Sequence, residues 1–467
     1  MKKVRTASAH YGEGGLADLD LFIGEKDRRV EICPPKKIEA WLKYDFPGRE
    51  REGMKYSKFK WRAEHFNGTD WDQRAQKNAI YKLVDDPATY PKPHQHQLPT
   101  QSGFSGLNRL ARLKDKLTGT PARRPGKGWA EDVDDLHGNF DYLMFANIDH
   151  NHPAVRDDVL RWGQWMIEDV GIDGFRLDAV QHFSYAFTRD WVARVNECSK
   201  RMRGGHNAFV VGEIWTGEVE RILKWLDAVG QGAYAYDSPL LYNFSRVSED
   251  VRRGSKNADL RTILRDSLLQ ARPDHAVTLV TNHDTQAGQT SFTPMMPELK
   301  LLWYAFILLR EEGYPSVFWG DLYGTRGPKA EPPALGVPNG NGGMRSLLPD
   351  LMLARRLFAF GGQTDCFDAM SCIGWTRAGT REKPGCAVML SIGPSDQYTV
   401  KKMVLGRPGE VFVDVLANCG QQAEVRIDAK GCGDFPCRGQ SASVFVSKEA
   451  DGVARFPVPF DTDVYAL

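Results

Sequence analysis

The chain has no uninterrupted apolar run near the roughly 20 residues that a bilayer-spanning helix needs, so no membrane segment is expected. It has no surplus of charge of either sign: 61 Lys and Arg stand against 60 Asp and Glu, a formal net charge of +1. That balance gives no electrostatic case for nucleic acid or an anionic lipid surface as a partner. The N-terminus, Met1-Lys2-Lys3-Val4-Arg5-Thr6-Ala7-Ser8, carries charge with no apolar stretch behind it. No signal peptide is read there, and the cytoplasm is the expected compartment. No internal repeat is present, and no Cys/His cluster has zinc spacing. The cysteines gather late, at Cys366, Cys372, Cys386, Cys419, Cys432 and Cys437. The last two could pair geometrically, but a cytosolic setting favours buried free thiols.

What is present fits a soluble globular chain of two or three domains. The length is 467 residues, with 42% hydrophobic and 26% charged content. The 12 Trp and 15 Tyr could stack on sugar rings, although most aromatics in most proteins are core. Residues 1–18 show no pattern, and 20–85 are dense in aromatics and charges. Residues 86–127 are rich in Pro, Lys and Arg and include His94 and His96; they read as a long irregular loop.

From Pro153 the rhythm changes to alternating helix and strand. Pro153 suits the first position of a helix, and Val155, Val159, Trp162, Met166 and Val170 give it an apolar face that Gly171 ends. Strands are expected to end at Asp178 and Glu213, to cover Tyr234–Leu240, to end near Thr281, and to run over Tyr314–Gly320. Helices are expected around Phe187–Met202, from about Asn257 to Arg272, over Pro297–Glu312 and near 348–360. Strands separated by helices predict a parallel α/β sheet of the (β/α)₈ type, with functional groups at strand C-terminal ends. The last part alternates as short strands, at Cys372–Thr376, Cys386–Ile392, Val411–Val415, Ala423–Ile427 and Ser441–Val446, which predicts a separate antiparallel domain. The expected organisation is therefore 1–152 with the insertion 86–127, 153–361, 362–447, and a tail over 448–467.

Three carboxylates end successive apolar runs: Asp178 after Gly174-Phe175-Arg176-Leu177, Glu213 after Phe209-Val210-Val211-Gly212, and Asp284 after Val280-Thr281-Asn282-His283. Singly, each would more often be a helix cap or an ion-pair partner. Together they match what a retaining glycosidase needs, two carboxyl groups about 5 Å apart across the bond to be cut. Asp178 suits the nucleophile, because Arg176 two residues earlier shares its strand face and can hold it anionic. Glu213 suits the acid/base, with Ile214 and Trp215 as an apolar wall. Asp284 would support the transition state, and Asn282 and His283 could bind sugar hydroxyls.

These segments resemble the α-amylase superfamily of glycoside hydrolases, in particular its bacterial liquefying and fungal intracellular members. The resemblance is carried by Gly174-Phe175-Arg176-Leu177-Asp178-Ala179-Val180 with His182, by Gly212-Glu213-Ile214-Trp215 and by Asn282-His283-Asp284. Further support comes from Tyr44–Arg49, His65–Asp72, Gly138–Met144 and Gly313–Phe318. It implies an eight-stranded barrel, a domain protruding after the third strand, and a C-terminal β-sandwich. It also implies α-1,4-glucan as substrate and partner, the catalytic roles assigned above, and substrate contacts at Arg176, His182, Trp215, Asn282 and His283. Calcium is the implied cofactor, for which Asp141, Asp149 and the His182 carbonyl remain. Asn67 and Asn147 stand where the family has Asp, and Ala130 falls near another such position. Gln181 replaces a usual Lys, and Thr281 a usual Asp. No counterpart of the first three barrel strands is found. The expected activity is α-amylase-like hydrolysis. The alternatives are an impaired or inactive glucan-binding remnant and an α-glucan transglycosylase. Sucrose or trehalose chemistry fits the supporting segments less well. Oligomeric state is left open.

Overall fold

The computed structural model describes residues 59–73, 75–84, 129–130, 132–135, 140–334, 344–419 and 423–460, together with short strands at 2–3, 10–14, 36–38, 44–45 and 337–338. The irregular insertion expected over 86–127 lies outside the described residues, as does the end of the tail, 461–467. The chain forms two compact units. The first comprises Met1–Phe175, Ala179–Phe209 and Ala228–Gly232; the second comprises Arg176–Asp178, Val210–Asp227 and Ala233–Leu467.

In the first unit, β1 (Phe66–Asp72) pairs antiparallel with β2 (Lys77–Val84) and with β3 (Ala146–Ile148). Helix α1 (Pro153–Trp165) starts at its proline, as expected, and continues through a wider turn over Met166–Val170. Gly171 stops it at φ 81°, a conformation that costs a residue with a Cβ. The buried face differs from the expected stripe. Val155, Gly163 and Ile167 are buried, whereas Trp162 and Val170 are about half exposed. The wide turn shifts the helical phase after Trp165, which rotates Ile167 inward in place of its neighbours. Gly163 lets α2 (Tyr185–Met202) approach closely: a Cβ there would meet the Trp191 ring nitrogen at 2.8 Å. That nitrogen donates to the Val159 carbonyl at 3.1 Å.

The second unit carries most of the chemistry-bearing sheet, including the C-terminal ends of all its strands. Its strands are β4 (Gly174–Leu177), β5 (Phe209–Gly212), β6 (Ala233–Tyr236), β7 (Ala276–Thr278) and β8 (Tyr314–Pro315), neighbours in the order β8-β7-β6-β5-β4. The β5/β6, β6/β7 and β7/β8 pairings are parallel. Helices follow as α3 (Val219–Val229), α4 (Ser238–Arg252), the single turn α5 (Leu268–Ala271), α6 (Pro297–Leu309), α7 (Trp319–Tyr323) and α8 (Leu348–Phe358).

Three expectations need correction. The strand expected over Tyr234–Leu240 stops at Tyr236, because Asp237 caps α4 and Pro239 occupies its first turn. The helix expected over Asn257–Arg272 breaks into the short turns Leu260–Thr262 and Leu268–Ala271, with Asp266 at φ 56° between them. The strand at Tyr314 ends at Pro315, and the chain turns into α7 at Trp319.

One residue ties these turns together. Asp237 is fully buried; its Oδ1 accepts from the backbone N–H of Leu240 and of Leu268, both at 3.0 Å, and its Oδ2 accepts from Leu269 at 2.7 Å. A single carboxylate thus satisfies amide groups at the N-termini of both α4 and α5.

Helix α6 is buried on every side from Leu299 to Leu309, as its all-round apolar sequence demands. The C-terminal domain packs on its end: Trp375 Nε1 donates to the Leu309 carbonyl at 3.3 Å, and Arg310 pairs with Asp365 at 2.9 Å. That domain has two antiparallel sheets. The larger contains β9 (Gln363–Ala369), β10 (Cys372–Arg377), β11 (Cys386–Ser391), β13 (Val411–Asp414), β14 (Glu424–Arg426) and β16 (Ser441–Ser447), in the order β9-β10-β11-β16-β13-β14. The smaller pairs β12 (Tyr398–Val404) with β15 (Cys432–Arg438). Met389, Phe412, Phe435 and Phe445 lie in the core between them. Cys432 and Cys437 share one strand, and every described cysteine is a free thiol.

Candidate active site

At the C-terminal ends of neighbouring parallel strands, Asp178 follows β4 and Glu213 follows β5. Arg176 lies on β4 and Asp178 two positions on, so the two side chains share a face. The Arg176 guanidinium holds both neighbours at once. Its Nη1 pairs with Asp178 Oδ1, and its Nη2 with Glu213 Oε1 at 2.9 Å. Glu213 is brought there by the backbone: its N–H donates to the Leu177 carbonyl at 2.9 Å. Gly212, just before it, is needed for packing, since a Cβ there would lie 2.5 Å from the Trp225 ring.

The two carboxylates differ in setting. The Asp178 side chain is 69% exposed, open to an incoming ligand, while that of Glu213 is 10% exposed. Ile214 is buried at Glu213's side, as expected for an apolar wall. The second wall residue, Trp215, is directed to Tyr242, edge-on at 6.1 Å between ring centroids. Burial pushes the ionisation of the Tyr242 hydroxyl up, and a hydrogen bond with Trp215 opposes the shift. A polar cavity of about 400 Å³ adjoins this pair, lined by Gly217, Pro239, Tyr242, Asn243, Arg246, Thr262, Arg265 and Asp266.

Tyr236 was missed from sequence. It ends β6 as Asp178 and Glu213 follow β4 and β5, and its hydroxyl interacts with the Arg176 guanidinium. Burial first, then the Glu213 charge, push its ionisation up, with Arg176 opposing. The signal was available in the alternation Ala233-Tyr234-Ala235-Tyr236, which sends Tyr234 and Tyr236 to the same face and puts Tyr236 at the strand's end.

Beyond β7, Asp284 Oδ2 lies 3.2 Å from His283 Nε2, both side chains open to solvent. Asn282 behaves differently from the expectation. Its Oδ1 accepts from the N–H groups of Asp284 and Thr285 at 2.9 and 2.8 Å, and from the Thr285 hydroxyl. Its carbonyl oxygen therefore builds the turn that presents Asp284.

His182 and the candidate metal ligands belong to the first unit. The His182 ring is buried, 4% exposed, with Nδ1 2.5 Å from the Phe140 carbonyl and the Phe140 ring 4.2 Å away. A ring held in this way braces the segment and has no solvent face for a sugar. Asp141 is buried as well. Its Oδ2 accepts from Asn67 Nδ2 and from the Ala130 N–H, each at 2.9 Å, and Asn147 Nδ2 donates to Asn67 Oδ1 at 2.8 Å. Burial, the largest influence, raises the Asp141 carboxyl to about 6. Asp149 Oδ1 accepts from the Asn151 N–H. Calcium prefers six to eight oxygen ligands with several anionic ones. Here amide hydrogens face the buried carboxylate, and among the described residues no group of three or more His, Cys, Asp or Glu is placed to hold a metal. Asp141, Asp149 and His182 as arranged do not fit calcium.

Comparison with known proteins gives a consistent result. The family model for the α-amylase catalytic domain matches residues 122–356. An α-amylase of Geobacillus stearothermophilus is 36% identical over 431 residues, 91% of this chain and 66% of the relative. The glucan 1,4-α-maltohexaosidase of Bacillus sp. (strain 707) is 36% identical over 431 residues, 91% of this chain and 70% of the relative. The cytoplasmic α-amylase of Escherichia coli (strain K12) is 35% identical over 419 residues, 88% of this chain and 73% of the relative. The chain thus spans from just under two thirds to somewhat under three quarters of these relatives' lengths.

Proposed function

The chain belongs to the α-amylase family of glycoside hydrolases, whose catalytic domain is a (β/α)₈ barrel, and on that premise we propose that it hydrolyses α-1,4-glucan with retention of anomeric configuration. The observation that carries the reading is the Arg176 clamp, which joins Asp178 to Glu213 across neighbouring strands.

In the first step Glu213 gives its proton to the glycosidic oxygen as Asp178 attacks the anomeric carbon. The C–O bond breaks, the shortened glucan leaves with the proton, and a glycosyl ester forms on Asp178. In the second step the Glu213 carboxylate takes a proton from water, whose oxygen attacks the same carbon and releases Asp178. The negative charge passes from one carboxyl group to the other as the first step proceeds. Before reaction Asp178 is ionised and Glu213 protonated; in the intermediate Asp178 is esterified and Glu213 ionised. The pair carries one negative charge in both states, and one guanidinium shared between them balances it in both.

Asp284 supplies a third carboxylate for the oxocarbenium-like transition state. Arg176, Trp215 and His283 line the substrate path, with Tyr236 placing the guanidinium. Calcium enters no step, since Asp141 is already held by amides. The proposed organisation keeps 1–152 as the protruding domain, 153–361 as barrel, 362–447 as sandwich and 448–467 as tail. The name of the Escherichia coli relative supports a cytoplasmic location. Among the described residues no helix is long and apolar enough to cross a membrane.

The test is reducing-sugar release from soluble starch by purified protein, with Glu213→Gln alongside. Release by the parent and its loss in the variant are expected. A well-folded parent with no activity on any α-glucan would overturn the proposal.

A further inference from the structure

The polar cavity beside Trp215 and Tyr242 holds two arginines that the hydrolytic steps leave unused. Its lining joins two elements of the second unit. Helix α4 supplies Tyr242, Asn243 and Arg246, and the segment between the short turn Leu260–Thr262 and α5 supplies Arg265 and Asp266. Tyr242 and Arg246 are four residues apart and share one face of the helix.

The two elements are held together on both sides of Asp266. Asn243 Nδ2 donates to the carbonyls of Ile263 at 3.0 Å and Arg265 at 2.8 Å. Asp237, which caps α4, accepts from the N–H groups of Leu268 and Leu269. Asp266 itself sits at φ 56°, in the left-handed region, a conformation that persists where the surroundings over-determine it. The arginine of one element is therefore placed in advance against the arginine of the other.

Their charges are poorly matched. Arg252 and Arg253 on the same helix both pair with Glu249, and Arg261 pairs with Asp259. Among the described residues Arg246 has no such ion pair, and Asp266 pairs with neither arginine of the cavity. The acidic neighbour of Arg265 is Asp259, which Arg261 already holds. Both arginines of the cavity are exposed to solvent. The planar guanidinium fork matches the oxygens of a phosphate group, and a phosphate monoester carries most of two negative charges at neutral pH. Asn243 has spent both amide hydrogens and keeps its oxygen as an acceptor, and the Asp266 carboxylate is a second acceptor, the complement that sugar hydroxyls need.

We propose that this cavity binds a phosphate monoester carried on an α-glucan chain, with Arg246 and Arg265 on the phosphate and Asn243 and Asp266 on hydroxyls of the sugar that bears it. The glucan part of the assignment rests on the proposed function, and the anionic part on the two arginines. Tyr242 lines the cavity and Trp215 lies against it, so a chain anchored here runs on towards Glu213. The cavity selects which glucans are cut and takes no part in breaking the bond.

The experiment uses a set of maltooligosaccharides, each phosphorylated at a different single glucosyl unit, and their unphosphorylated counterpart. Cleavage is followed with the full chain, and binding by calorimetric titration in the Glu213→Gln background, both at low ionic strength. The proteins are the parent, Arg246→Gln, Arg265→Gln and the double variant. The parent is expected to favour at least one phosphorylated chain about tenfold in kcat/KM and in affinity, the low end for a charge-assisted contact because both arginines face solvent. Each single variant should lose most of that preference and the double variant all of it, with kcat/KM on the unphosphorylated chain and the thermal midpoint unchanged. Inorganic phosphate and glucose 6-phosphate, added as competitors, should displace the phosphorylated chain only weakly. A parent that cuts the unphosphorylated chain and favours no member of the set would overturn the phosphate site and leave the proposed function standing. Preference that survives in the double variant would overturn it too, and displacement by inorganic phosphate as effective as by the phosphorylated chain would assign the cavity to a free anion instead. Selective binding of a phosphorylated chain by a protein that cuts no glucan would remove the proposed function and support the cavity.

Discussion

Replacing Arg176 by Gln removes the guanidinium shared by Asp178 and Glu213 and leaves the backbone of β4 intact. In the structure the guanidinium makes two charge-assisted contacts, one to each carboxylate. Hydrogen bonds to charged groups are worth ~1.5–3 kcal/mol each. The pair holds one negative charge before and after the first step, so about one contact's worth is at stake in the barrier. With tenfold in rate for each ~1.4 kcal/mol, kcat is expected to fall about ten- to 150-fold. Arg176→Lys restores the charge but not the planar fork that reaches both oxygens, and should recover only part of the loss. The assay is steady-state kinetics on a maltooligosaccharide of defined length, with thermal unfolding as a control. A kcat for Arg176→Gln within threefold of the parent would refute the shared-charge argument. Full recovery by Arg176→Lys would show that charge alone matters and the bridge does not.

Other expectations follow from the packing. Burial raises the Asp237 carboxyl to about 6 despite three backbone donors. The folded state therefore holds this proton more tightly than the unfolded chain, and the resulting stability, up to ~3 kcal/mol, is lost as pH rises from about 4 through 6. Asp237→Asn should remove that slope in denaturant titrations across this range, while lowering stability throughout by setting an amide donor against backbone N–H groups. Gly212→Ala drives a methyl group against the buried Trp225 ring and should cost ~1–3 kcal/mol, read as a lower unfolding midpoint, with activity falling too because Glu213 follows directly. Chelation should leave the thermal midpoint unchanged, since Asn67 and the Ala130 amide already engage Asp141; a fall of several degrees, reversed by calcium, would contradict that reading.

The parallel sheet was legible because its strands are short apolar runs that end in charge, and its carboxylates because they fall at those ends. The fully buried strands Cys372–Arg377 and Cys386–Ser391 could be read from their sequences in the same way. The strands Tyr398–Val404 and Cys432–Arg438 escaped notice. One carries Lys401 and Lys402, the other Gly433 and Pro436, and they form a two-stranded sheet whose outward residues are polar or exposed. Helix α4 was misread in its first turn as a strand, although Asp237 and Pro239 form a start signal, because Tyr234 to Tyr236 alternates just before it. Side-chain engagement was the least legible layer. Its place beside Asp284 put Asn282 near the chemistry, and the family resemblance put His182 there, but only three-dimensional packing shows that one shapes a turn and the other is buried. The eroded metal set was visible in Asn67 and Asn147, whereas the amide network that replaces it was not.

The central claim is that Asp178 forms a covalent bond with the sugar. It is tested most directly by incubating the protein with a fluorinated maltosyl substrate that slows the second step, then quenching, digesting and weighing the peptides. A glycosyl adduct is expected on the peptide containing Asp178, absent in Asp178→Asn, which should still fold. An adduct on another residue, or first-formed product of inverted configuration, would contradict it.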